Sequence, residues 1–522
     1  MATRTGTPDR VSSPASDTRP DTPAPLVVTP VAAGLASRIA DRAPRVLVIG
    51  DALLDGWLSG PARRLGRDGP VPVVELTESR SACGGAANTA ANLAALGATV
   101  DLLAVFGDDA EARTLRSLLD EAGVRTGSSV IELGRTTAVK RRLMAAGQPV
   151  ARYDVAPVAP PRRSTQAALV DALTDALEGE HRPDAVVLAD YGLGALSPAL
   201  REKLAALRDQ VPLLVVDGRD PLGWCDVSPD VVTPNAAEAA SLLGVTEPLR
   251  DRPAWAAAQR DAVVARCGGA DVLLTLDVDG VVRLPADAAE PVLRTRAHPT
   301  LHSRACGAGD TFTAAYTVAL CADLDPAAAL AVAQAAADVV VAREETAVCT
   351  TGALTAQLAA SDRGGLLERR DLIAVVDEHR RRGHRIVFTN GCFDVLHRGH
   401  VTYLRQARAL GDLLVVALNS DDSVARLKGP ERPVNPLADR AGVVGAIECV
   451  DLVTAFSQDT PAELIELVRP EVYAKGGDYT PEMLPETPIV ERLGGEVRVL
   501  DYLSDHSTTA IVGRIRATEG AR

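Results

Sequence analysis

The sequence predicts an α/β fold built from two consecutive domains, and three observations support that prediction. The chain has 522 residues, which is more than one hydrophobic core normally organises. Apolar strand-like segments alternate with helix-like segments, as in a mainly parallel sheet that is covered by helices on both faces. The alternation pauses near residue 360 and resumes with a second strand, turn and helix, so we expect a second α/β unit in the C-terminal part.

The composition excludes several classes of protein. The net charge is −14 with 24% charged residues, which argues against a general nucleic-acid binder but leaves small anionic substrates open. The sequence has no run of about 18 uncharged apolar residues, so we expect no membrane span and no membrane partner. Its eight cysteines form no Cys-x-x-Cys pair, which favours free thiols in a reducing cytoplasm over disulfides or a zinc site.

Composition and hydrophobic pattern divide the chain into four segments. Residues 1–43 are rich in Thr, Pro, Asp, Ala and Arg without a hydrophobic period, so we expect a disordered tail that can include one short Ala-rich helix before Pro44. The first domain is predicted at 44–358, a linker helix at 359–382 and the second domain at 383–522.

The first domain is predicted to contain a parallel sheet and a small lid. Its strands are the apolar segments "RVLVIGD", "DAVVLADYG", "PLLVVDG" and "DVLLTLDVDG", each of which ends at a glycine turn. Two segments interrupt the alternation of strands and helices, at 60–85 and 136–154. Their short polar strands predict an antiparallel lid that projects from the main sheet.

The segment "CGAGDTFTAAYTVAL", from Cys306, combines a turn of small residues with a helix. Gly307, Ala308 and Gly309 let backbone N–H groups approach an anion, and the helix dipole favours negative charge there. Asp310 stands at the helix start, where it could take a proton from a hydroxyl nucleophile, as phosphoryl transfer requires. The alternative is that Asp310 only caps the helix and that the glycines only make a turn.

Four motifs in this order resemble the ribokinase family of carbohydrate kinases. They are "VIGDALLD" with Asp51 and Asp55, "GGAANTAANLAALG" at 84–97, "TPNAAEAASLLG" with Asn235 and Glu238, and the Gly-Ala-Gly-Asp turn. The resemblance implies a ribokinase-like three-layer domain with a small β lid. It also implies phosphorylation of a sugar hydroxyl with ATP and Mg²⁺.

The same resemblance implies roles for individual residues. Asp310 would deprotonate the sugar hydroxyl, the 307–309 amides would form an anion hole, and Asn235 and Glu238 would organise Mg²⁺ and the ATP phosphates. The sugar would be held by Asp55, Gly84, Gly85 and Asn88. Three positions depart from the family pattern and weaken the expected nucleotide contacts, namely Arg304, Leu193 and Gln334.

The segment "TNGCFDVLHRGHVTYL", at 389–404, carries the second site. His397 and His400 flank Gly399 at a helix start, where both imidazoles could donate hydrogen bonds to one phosphate. The alternatives are a metal-binding pair and a solvated helix start. A zinc ion would need a third ligand, and none is obvious nearby in the sequence.

This segment resembles the nucleotidyltransferase family that includes cytidylyltransferases and pantetheine-phosphate adenylyltransferase. The resemblance implies a Rossmann-like α/β domain in which His397 and His400 stabilise the α-phosphate of a nucleotide while pyrophosphate leaves. The attacking group would be a sugar phosphate, which needs no protein base. The implied nucleotide-binding residues are Thr389, Gly391, Phe393, Lys428, Arg432, Lys475, Ser507, Thr508 and Thr509.

The pairing of the two domains resembles the bifunctional heptose 7-phosphate kinases and heptose 1-phosphate adenylyltransferases. It implies ADP-heptose as the product, a homodimer formed through the lid, and Lys140, Arg142 and Arg152 as partners of the 7-phosphate. Two alternatives stay open at this point. The first domain could be a degenerate sugar-binding module, and the second could be a cytidylyltransferase that acts on another phosphorylated alcohol.

Overall fold

The computed structural model describes residues 25–29, 31–67, 69–157, 159–246, 251–297, 306–343, 346–361, 365–476 and 480–500. It contains two α/β units in sequence, so the predicted fold class is confirmed. In the described ranges, no helix is both long enough and apolar enough to cross a membrane.

The first domain is a three-layer α/β unit with additional short strands. Its strands are β1 (Leu26–Val27), β2 (Arg45–Gly50), β3 (Ala52–Ser59), β4 (Ala62–Leu65), β5 (Pro72–Val74), β6 (Glu78–Gly85), β7 (Thr99–Leu103), β8 (Val105–Phe106), β9 (Val130–Ile131), β10 (Ala138–Ala145), β11 (Gln148–Val155), β12 (Ala185–Asp190), β13 (Leu214–Gly218), β14 (Val231–Val232), β15 (Asp271–Thr275), β16 (Val281–Leu284) and β17 (Leu293–Arg294). Its helices are α1 (Gly34–Arg42), α2 (Ala86–Ala95), α3 (Ala110–Glu121), α4 (Arg163–Glu178), α5 (Pro198–Ala206), α6 (Ala236–Leu243), α7 (Arg252–Ala258), α8 (Arg260–Arg266), α9 (Ala308–Cys321), α10 (Pro326–Val341) and α11 (Thr351–Ser361).

The main sheet explains why its strands are apolar on both faces. Among the described residues its strand order is β1-β17-β16-β15-β14-β13-β12-β2-β7, and only the pairs that include β16 are antiparallel. In β2, Val46 and Val48 join the core beneath α2, α9 and α10, whereas Leu47 and Ile49 join the core beneath α4, α5 and α6. Successive side chains of β2 point to opposite faces of the sheet, so the strand packs against two separate helix layers.

The predicted lid is a four-stranded sheet with the order β11-β10-β3-β6, but it is mixed rather than purely antiparallel, because β10 pairs with β3 in parallel. Asp55 of β3 pairs with Lys140 of β10, and Arg142 of β10 pairs with Arg152 of β11. Because side chains two residues apart on a strand point the same way, these four residues share one face of the lid. That face lies toward the carboxyl ends of the main strands, where a doubly wound sheet places its ligands.

The second domain is a six-stranded parallel sheet with the order β18-β21-β20-β19-β22-β23 among the described residues. Its strands are β18 (Leu366–Leu367), β19 (Ile386–Gly391), β20 (Leu413–Asn419), β21 (Leu452–Phe456), β22 (Val472–Gly476) and β23 (Glu496–Leu500). Its helices are α12 (Arg369–Arg381), α13 (Arg398–Arg408), α14 (Asp421–Lys428), α15 (Leu437–Gly445), α16 (Ala462–Val468) and α17 (Thr487–Arg492).

Two of the predicted segment boundaries need correction. The short Ala-rich helix expected before Pro44 is α1, which packs on α11, whereas the strand β1, which pairs with β17, departs from the expected disordered tail. The segment 359–382 was predicted as a linker helix, but it contains more than α12. It also contains the end of α11 and the strand β18, which pairs with β21 and so belongs to the second sheet.

Candidate active sites

A cleft of about 360 Å³ opens at the carboxyl ends of the main strands, beneath the lid. The structure brings ten of the predicted kinase residues to its wall. They are Asp55, Gly85, Lys140, Arg142, Arg152, Asn235, Glu238, Gly307, Gly309 and Asp310. Asn88, which is also predicted, contacts Asp310 from α2. Residues separated by more than 250 positions in the sequence therefore meet at one place.

Asp310 lies at the first turn of α9, and its carboxylate is held by side chains from two other elements. Nδ2 of Asn88 donates a hydrogen bond to Oδ2 at 2.7 Å, and the hydroxyl of Tyr191 donates to Oδ1. The residue that precedes α9 is Gly307, and it makes no side-chain cap. The alternative interpretation of Asp310 as a simple helix cap is therefore wrong.

The cleft holds several carboxylates at close range, and this changes their acidity. Burial raises the pKa of Asp310 to about 6, and the Asp55 carboxylate adds to the rise. The hydrogen bonds from Tyr191 and Asn88 act in the opposite direction, because they stabilise the ionised form. Asp217, on β13, has a pKa raised to about 7, chiefly by burial and then by Asp310.

The predicted anion hole is the N-terminus of α9. The first amides of a helix have no intrahelical acceptor, so those of Ala308 and Gly309 are available to an anion. Gly307 has a φ of +80°, and a Cβ there would lie 2.7 Å from Nδ2 of Asn88. A Cβ at Gly309 would meet no atom within 4 Å, so this glycine leaves open space on the cleft side.

The two glycines at the end of β6 let the lid strand β3 approach α2. A Cβ on Gly84 would lie 2.3 Å from Cδ1 of Leu53, and a Cβ on Gly85 would lie 2.6 Å from the carbonyl oxygen of Asp51. Gly85 also has a φ of +57°, which strains any other residue. Both predicted glycines therefore shape the wall of the cleft by the absence of a side chain.

The lid contributes a cluster of positive charge. Arg142 contacts Oδ1 of Asp55 at 3.2 Å through Nη1, and its guanidinium lies 5.1 Å from the ring centre of Trp57. Nζ of Lys140 lies 5.1 Å from the ring centre of Tyr191. Arg152 instead makes a two-pronged contact with Asp154, at 2.9 and 2.8 Å, on the exposed strand β11.

Asn235 and Glu238 lie at the opposite end of the cleft, at the start of α6. The Asn235 side chain accepts from the Glu238 amide and the Glu238 side chain accepts from the Asn235 amide, both at 2.9 Å. This reciprocal cap gives both residues a structural role in addition to the predicted one. Burial raises the pKa of Glu238.

The three departures from the kinase pattern have different positions. The Leu193 amide donates to Asp51 at 2.8 Å, so this residue serves the loop through its backbone. Gln334, on α10, accepts from the Thr295 hydroxyl and donates to Asp338 at 2.8 Å. Arg304 lies outside the described residues.

The two histidines of the second site lie together at the start of α13. His397 is the residue that precedes the helix, and the ring centres of His397 and His400 are 3.9 Å apart. Burial, His397 and Lys428 lower the pKa of His400 to about 4. This imidazole is therefore neutral at pH 7, and in that state it can donate one hydrogen bond.

Hydrogen-bonded side chains from β19 and β22 form the base of this site. The hydroxyls of Thr389 and Tyr403 are hydrogen-bonded, and Tyr403 also donates to the Ala474 carbonyl at 2.9 Å. Nζ of Lys475 donates to Oδ1 of Asn390 at 2.9 Å, and burial lowers the pKa of Lys475. A Cβ on the predicted Gly391 would lie 2.9 Å from the Phe393 ring, which itself packs against His400 with 5.2 Å between ring centres.

The loop that follows α14 has a different arrangement from the predicted one. Arg432 is predicted as a nucleotide ligand, but its guanidinium contacts the buried carboxylate of Asp394. Lys428 is exposed at the end of α14. The predicted ligands Ser507, Thr508 and Thr509 lie outside the described residues.

Sequence reasoning missed several residues that organise the two sites. Tyr191 and Asp217 contact or face Asp310 from loops and strands far away in sequence. In the second domain, Arg440 is 2% exposed and donates to the carbonyls of Cys392 and Asn419 at 2.6 and 2.8 Å. The segment "DYGLG" contains Tyr191, but no local pattern in it indicates a contact with Asp310.

Comparisons with known proteins agree with this geometry. Residues 43–352 match the pfkB family carbohydrate kinases, and residues 388–513 match a cytidylyltransferase-like family. Bifunctional protein HldE from Halorhodospira halophila is 40% identical over 480 residues, which cover 91% of this chain and 97% of that protein. The same-named protein from Alcanivorax borkumensis is 39% identical over 493 residues, with 90% and 97% covered.

A solved structure supports the fold of the first domain. Phosphofructokinase-2 from Escherichia coli, in complex with substrates and products, covers 61% of this chain and 100% of its own length. The TM-score is 0.51 at 19% identity. At that identity the likeness supports the fold alone.

Fold, clefts and family matches together define a carbohydrate kinase joined to a nucleotidyltransferase in one chain. Both parts transfer phosphorus-containing groups, and the matches to the two relatives cover 90% and 91% of this chain. The chain belongs to the HldE family of bifunctional proteins.

Proposed function

We propose that the chain catalyses two steps of ADP-heptose synthesis. The first domain transfers the γ-phosphoryl group of ATP to the anomeric hydroxyl of D-glycero-β-D-manno-heptose 7-phosphate. After a separate phosphatase has removed the 7-phosphate, the second domain joins the AMP part of ATP to heptose 1-phosphate and releases pyrophosphate. The observation that carries the proposal is that one cleft combines Asp310, the start of α9 and a basic lid face.

In the kinase step, Asp310 is the general base. With a pKa of about 6, its carboxylate is mostly ionised at neutral pH and accepts the proton of the sugar hydroxyl. The amides at 307–309 stabilise the charge of the phosphoryl group in transit. Lys140, Arg142 and Arg152 offer charge-assisted hydrogen bonds to the 7-phosphate, while Asp55, Gly84, Gly85 and Asn88 shape the sugar site.

The cleft also fits the Mg²⁺ that an ATP-dependent kinase uses. Mg²⁺ is usually held by one or two carboxylates together with phosphate and water oxygens. Glu238 supplies one such carboxylate to the wall of the cleft. We assign Asn235 and Glu238 to organising this ion, which when bound would neutralise phosphate charge.

In the adenylyl-transfer step, an oxygen of the sugar 1-phosphate attacks the α-phosphorus of ATP and pyrophosphate leaves. The nucleophile is already anionic, so the site needs hydrogen-bond donors and cations rather than a base. His397 and His400 serve the α-phosphate, and Lys475 and Lys428 serve the leaving pyrophosphate. Both imidazoles are half-buried, and their Nδ1 atoms are inaccessible to water, so hydrogen bonds formed there are strengthened by the low local dielectric.

We further propose a cytoplasmic homodimer that is formed through the lid. The edge strand β11 is exposed along its whole length, and its apolar residues include Val150, Tyr153 and Val155. An exposed edge strand with apolar side chains favours pairing with another chain. Light scattering of the purified protein tests this part, and a monomer at micromolar concentration would contradict it.

The experiment that tests the catalytic proposal uses the two domains as controls for each other. Purified protein is incubated with heptose 7-phosphate or heptose 1-phosphate and with ATP or CTP, and product masses are read. Asp310→Asn should abolish the bisphosphate product and leave adenylyl transfer intact, whereas His400→Ala should do the reverse. A preference for CTP, or no turnover of heptose 7-phosphate by the unmodified protein, would contradict the proposal.

A further inference from the structure

The loop that follows β12 reaches the catalytic carboxylate of the kinase. Its sequence is "DYGLG", at 190–194, and its Tyr191 hydroxyl donates a hydrogen bond to Oδ1 of Asp310. The other oxygen of the carboxylate accepts from Asn88 at 2.7 Å. Both oxygens of Asp310 are therefore held, one from α2 and one from this loop.

The position of the Tyr191 hydroxyl is fixed by three further elements. The Asp51 carboxylate, just after β2, accepts the amides of Tyr191, Leu193 and Ala195 at 3.0, 2.8 and 2.9 Å. A Cβ on Gly85 would lie 3.3 Å from Cδ2 of Tyr191, so the glycine makes room for the ring. Lys140 lies over the ring at 5.1 Å from its centre. The loop thus presents a single donor in a defined place.

We propose that Tyr191 is a positioning residue of the kinase, whose hydroxyl holds Asp310 ionised and oriented for proton transfer. This inference rests on the proposed function, because it takes Asp310 as the base. In the reaction, the sugar oxygen forms its bond to the γ-phosphorus as the bond to ADP breaks. The sugar proton moves to Asp310, and Tyr191 keeps its own proton because burial and the Asp310 charge raise its pKa.

The charged groups around Asp310 determine how much the Tyr191 hydroxyl changes the pKa of Asp310. The groups that face it are Asp55 on β3, Lys140 on β10, Asp217 on β13, Cys306 before α9, and the two donors Tyr191 and Asn88. Burial and Asp55 raise the Asp310 pKa, and Tyr191 is the largest influence that lowers it. Without this hydroxyl, the pKa rises above 6 and less base is present at neutral pH.

Tyr191→Phe tests the proposal, with Tyr316→Phe, which removes another buried hydroxyl from the same domain, as the matched control. We expect the acid limb of the kinase kcat profile to move up by about one pH unit. The kcat at pH 6 should fall about fivefold and recover near pH 8, with KM for the sugar phosphate within about twofold. Adenylyl transfer by the same molecules should not change, which checks that the variant is folded.

A merely structural role would lower kcat equally at every pH, and that result would overturn the proposal. A second variant keeps the ring and the hydroxyl but carries 3,5-difluorotyrosine at position 191. Fluorination makes the phenol a stronger donor, so the acid limb should move down instead. A shift in the same direction as for Tyr191→Phe would also overturn the proposal.

A measurement without turnover separates this inference from the proposed substrate. The infrared carboxylate band of Asp310, assigned by its loss in Asp310→Asn, is titrated in both proteins. If Tyr191→Phe raises the pKa that this band reports, the inference stands even where heptose 7-phosphate is not the substrate. An unchanged titration overturns the inference alone, and full kinase activity in Asp310→Asn overturns the base assignment and the inference together.

Discussion

The buried carboxylate of Asp310 carries a cost in stability that follows from its environment. The residue is 8% exposed, and its pKa is raised to about 6, chiefly by burial. In an unfolded chain an aspartate has a pKa of about 4. Between those two values the unfolded state ionises before the native state does, so the native state loses relative stability as the pH rises from 4 to 6.

Asp310→Asn should therefore stabilise the protein at neutral pH while it removes kinase activity. A pKa difference of about 2 corresponds to about 3 kcal/mol of unfolding free energy, present in full only above pH 6. Near pH 4 the variant and the unmodified protein should be almost equally stable. Urea unfolding at pH 4, 6 and 8 measures this, with Asp120→Asn on the exposed face of α3 as the control. A gain that does not vary with pH would contradict the account.

The two sites should also respond differently to pH in one sample. The kinase rate should rise from pH 5 to 7 with an apparent pKa near 6, because Asp310 must be ionised. The transferase should show no step from His400 in that range, because its pKa of about 4 keeps the imidazole neutral throughout. Parallel initial-rate profiles with saturating substrates test this. A transferase rate that falls as His400 loses a proton between pH 6 and 7 would exclude a neutral donor.

The candidate catalytic residues that could be predicted are those that lie close together in the sequence. Gly307 and Gly309 stand next to Asp310 in the sequence, and the turn, the helix start and the carboxylate are one continuous pattern. Tyr191 could not be placed in the same way, because it lies 119 positions from Asp310 and meets it only through the folded sheet. The buried partner of Arg432, Asp394, could not be predicted either, and the role of Arg432 as a nucleotide ligand stays a prediction.

At the level of elements, the two glycines at the start of α9 have different structural roles. Gly307 is required by the backbone, since its φ is +80° and a Cβ would press on Asn88. Gly309 has a helical conformation and open space beside it. Gly307 is therefore needed for the backbone conformation, whereas Gly309 leaves open the space that the proposed anion hole requires.

The pair Gly307→Ala and Gly309→Ala should separate these two roles. Gly307→Ala should lower the unfolding free energy by about 1–3 kcal/mol, because alanine is strained in the left-handed region and crowds a buried amide. Gly309→Ala should keep or slightly raise stability, yet lower kcat/KM of the kinase at least tenfold because the methyl group enters the anion hole. Thermal unfolding and steady-state kinetics report the two effects. Equal stability losses in both variants would contradict the division.

Helices and strands could be predicted where the local hydrophobic pattern determines them. They could not be predicted where packing against a distant element determines the structure. The buried strands β2, β12, β13 and β15 are apolar runs, and the sequence predicts them directly. The helix α1 is the short Ala-rich helix that the sequence allows before Pro44, but its local composition does not predict that it is buried against other helices. Its Ala36 and Ile39 are 1% exposed because other helices cover them, and such coverage is not visible in a local sequence window.

At the scale of the whole molecule, α1 joins the two domains. It packs on α11 of the first domain, and its Ser37 hydroxyl donates to Oδ1 of Asp371, on α12 of the second, at 2.6 Å. Asp41 and Arg370 form an exposed ion pair beside it. One continuous apolar cluster contains Ile39, Leu358 and Leu372, so the core passes from one domain to the other without a polar break. We therefore expect the two domains to unfold as one cooperative unit.

Ser37→Ala tests that expectation, because it leaves the buried Asp371 carboxylate without the hydroxyl donor. We expect a loss of about 1–3 kcal/mol in unfolding free energy, and the kinase and transferase should lose activity at the same, lower temperature although neither site is touched. Asp41→Asn is the matched control on the same helix, and since exposed ion pairs contribute little, it should change the melting temperature by less than about 1 °C. Calorimetry together with residual activity after heating measures both variants. Two separate transitions, with only one activity affected by Ser37→Ala, would show that the domains are thermodynamically independent and that α1 does not couple them.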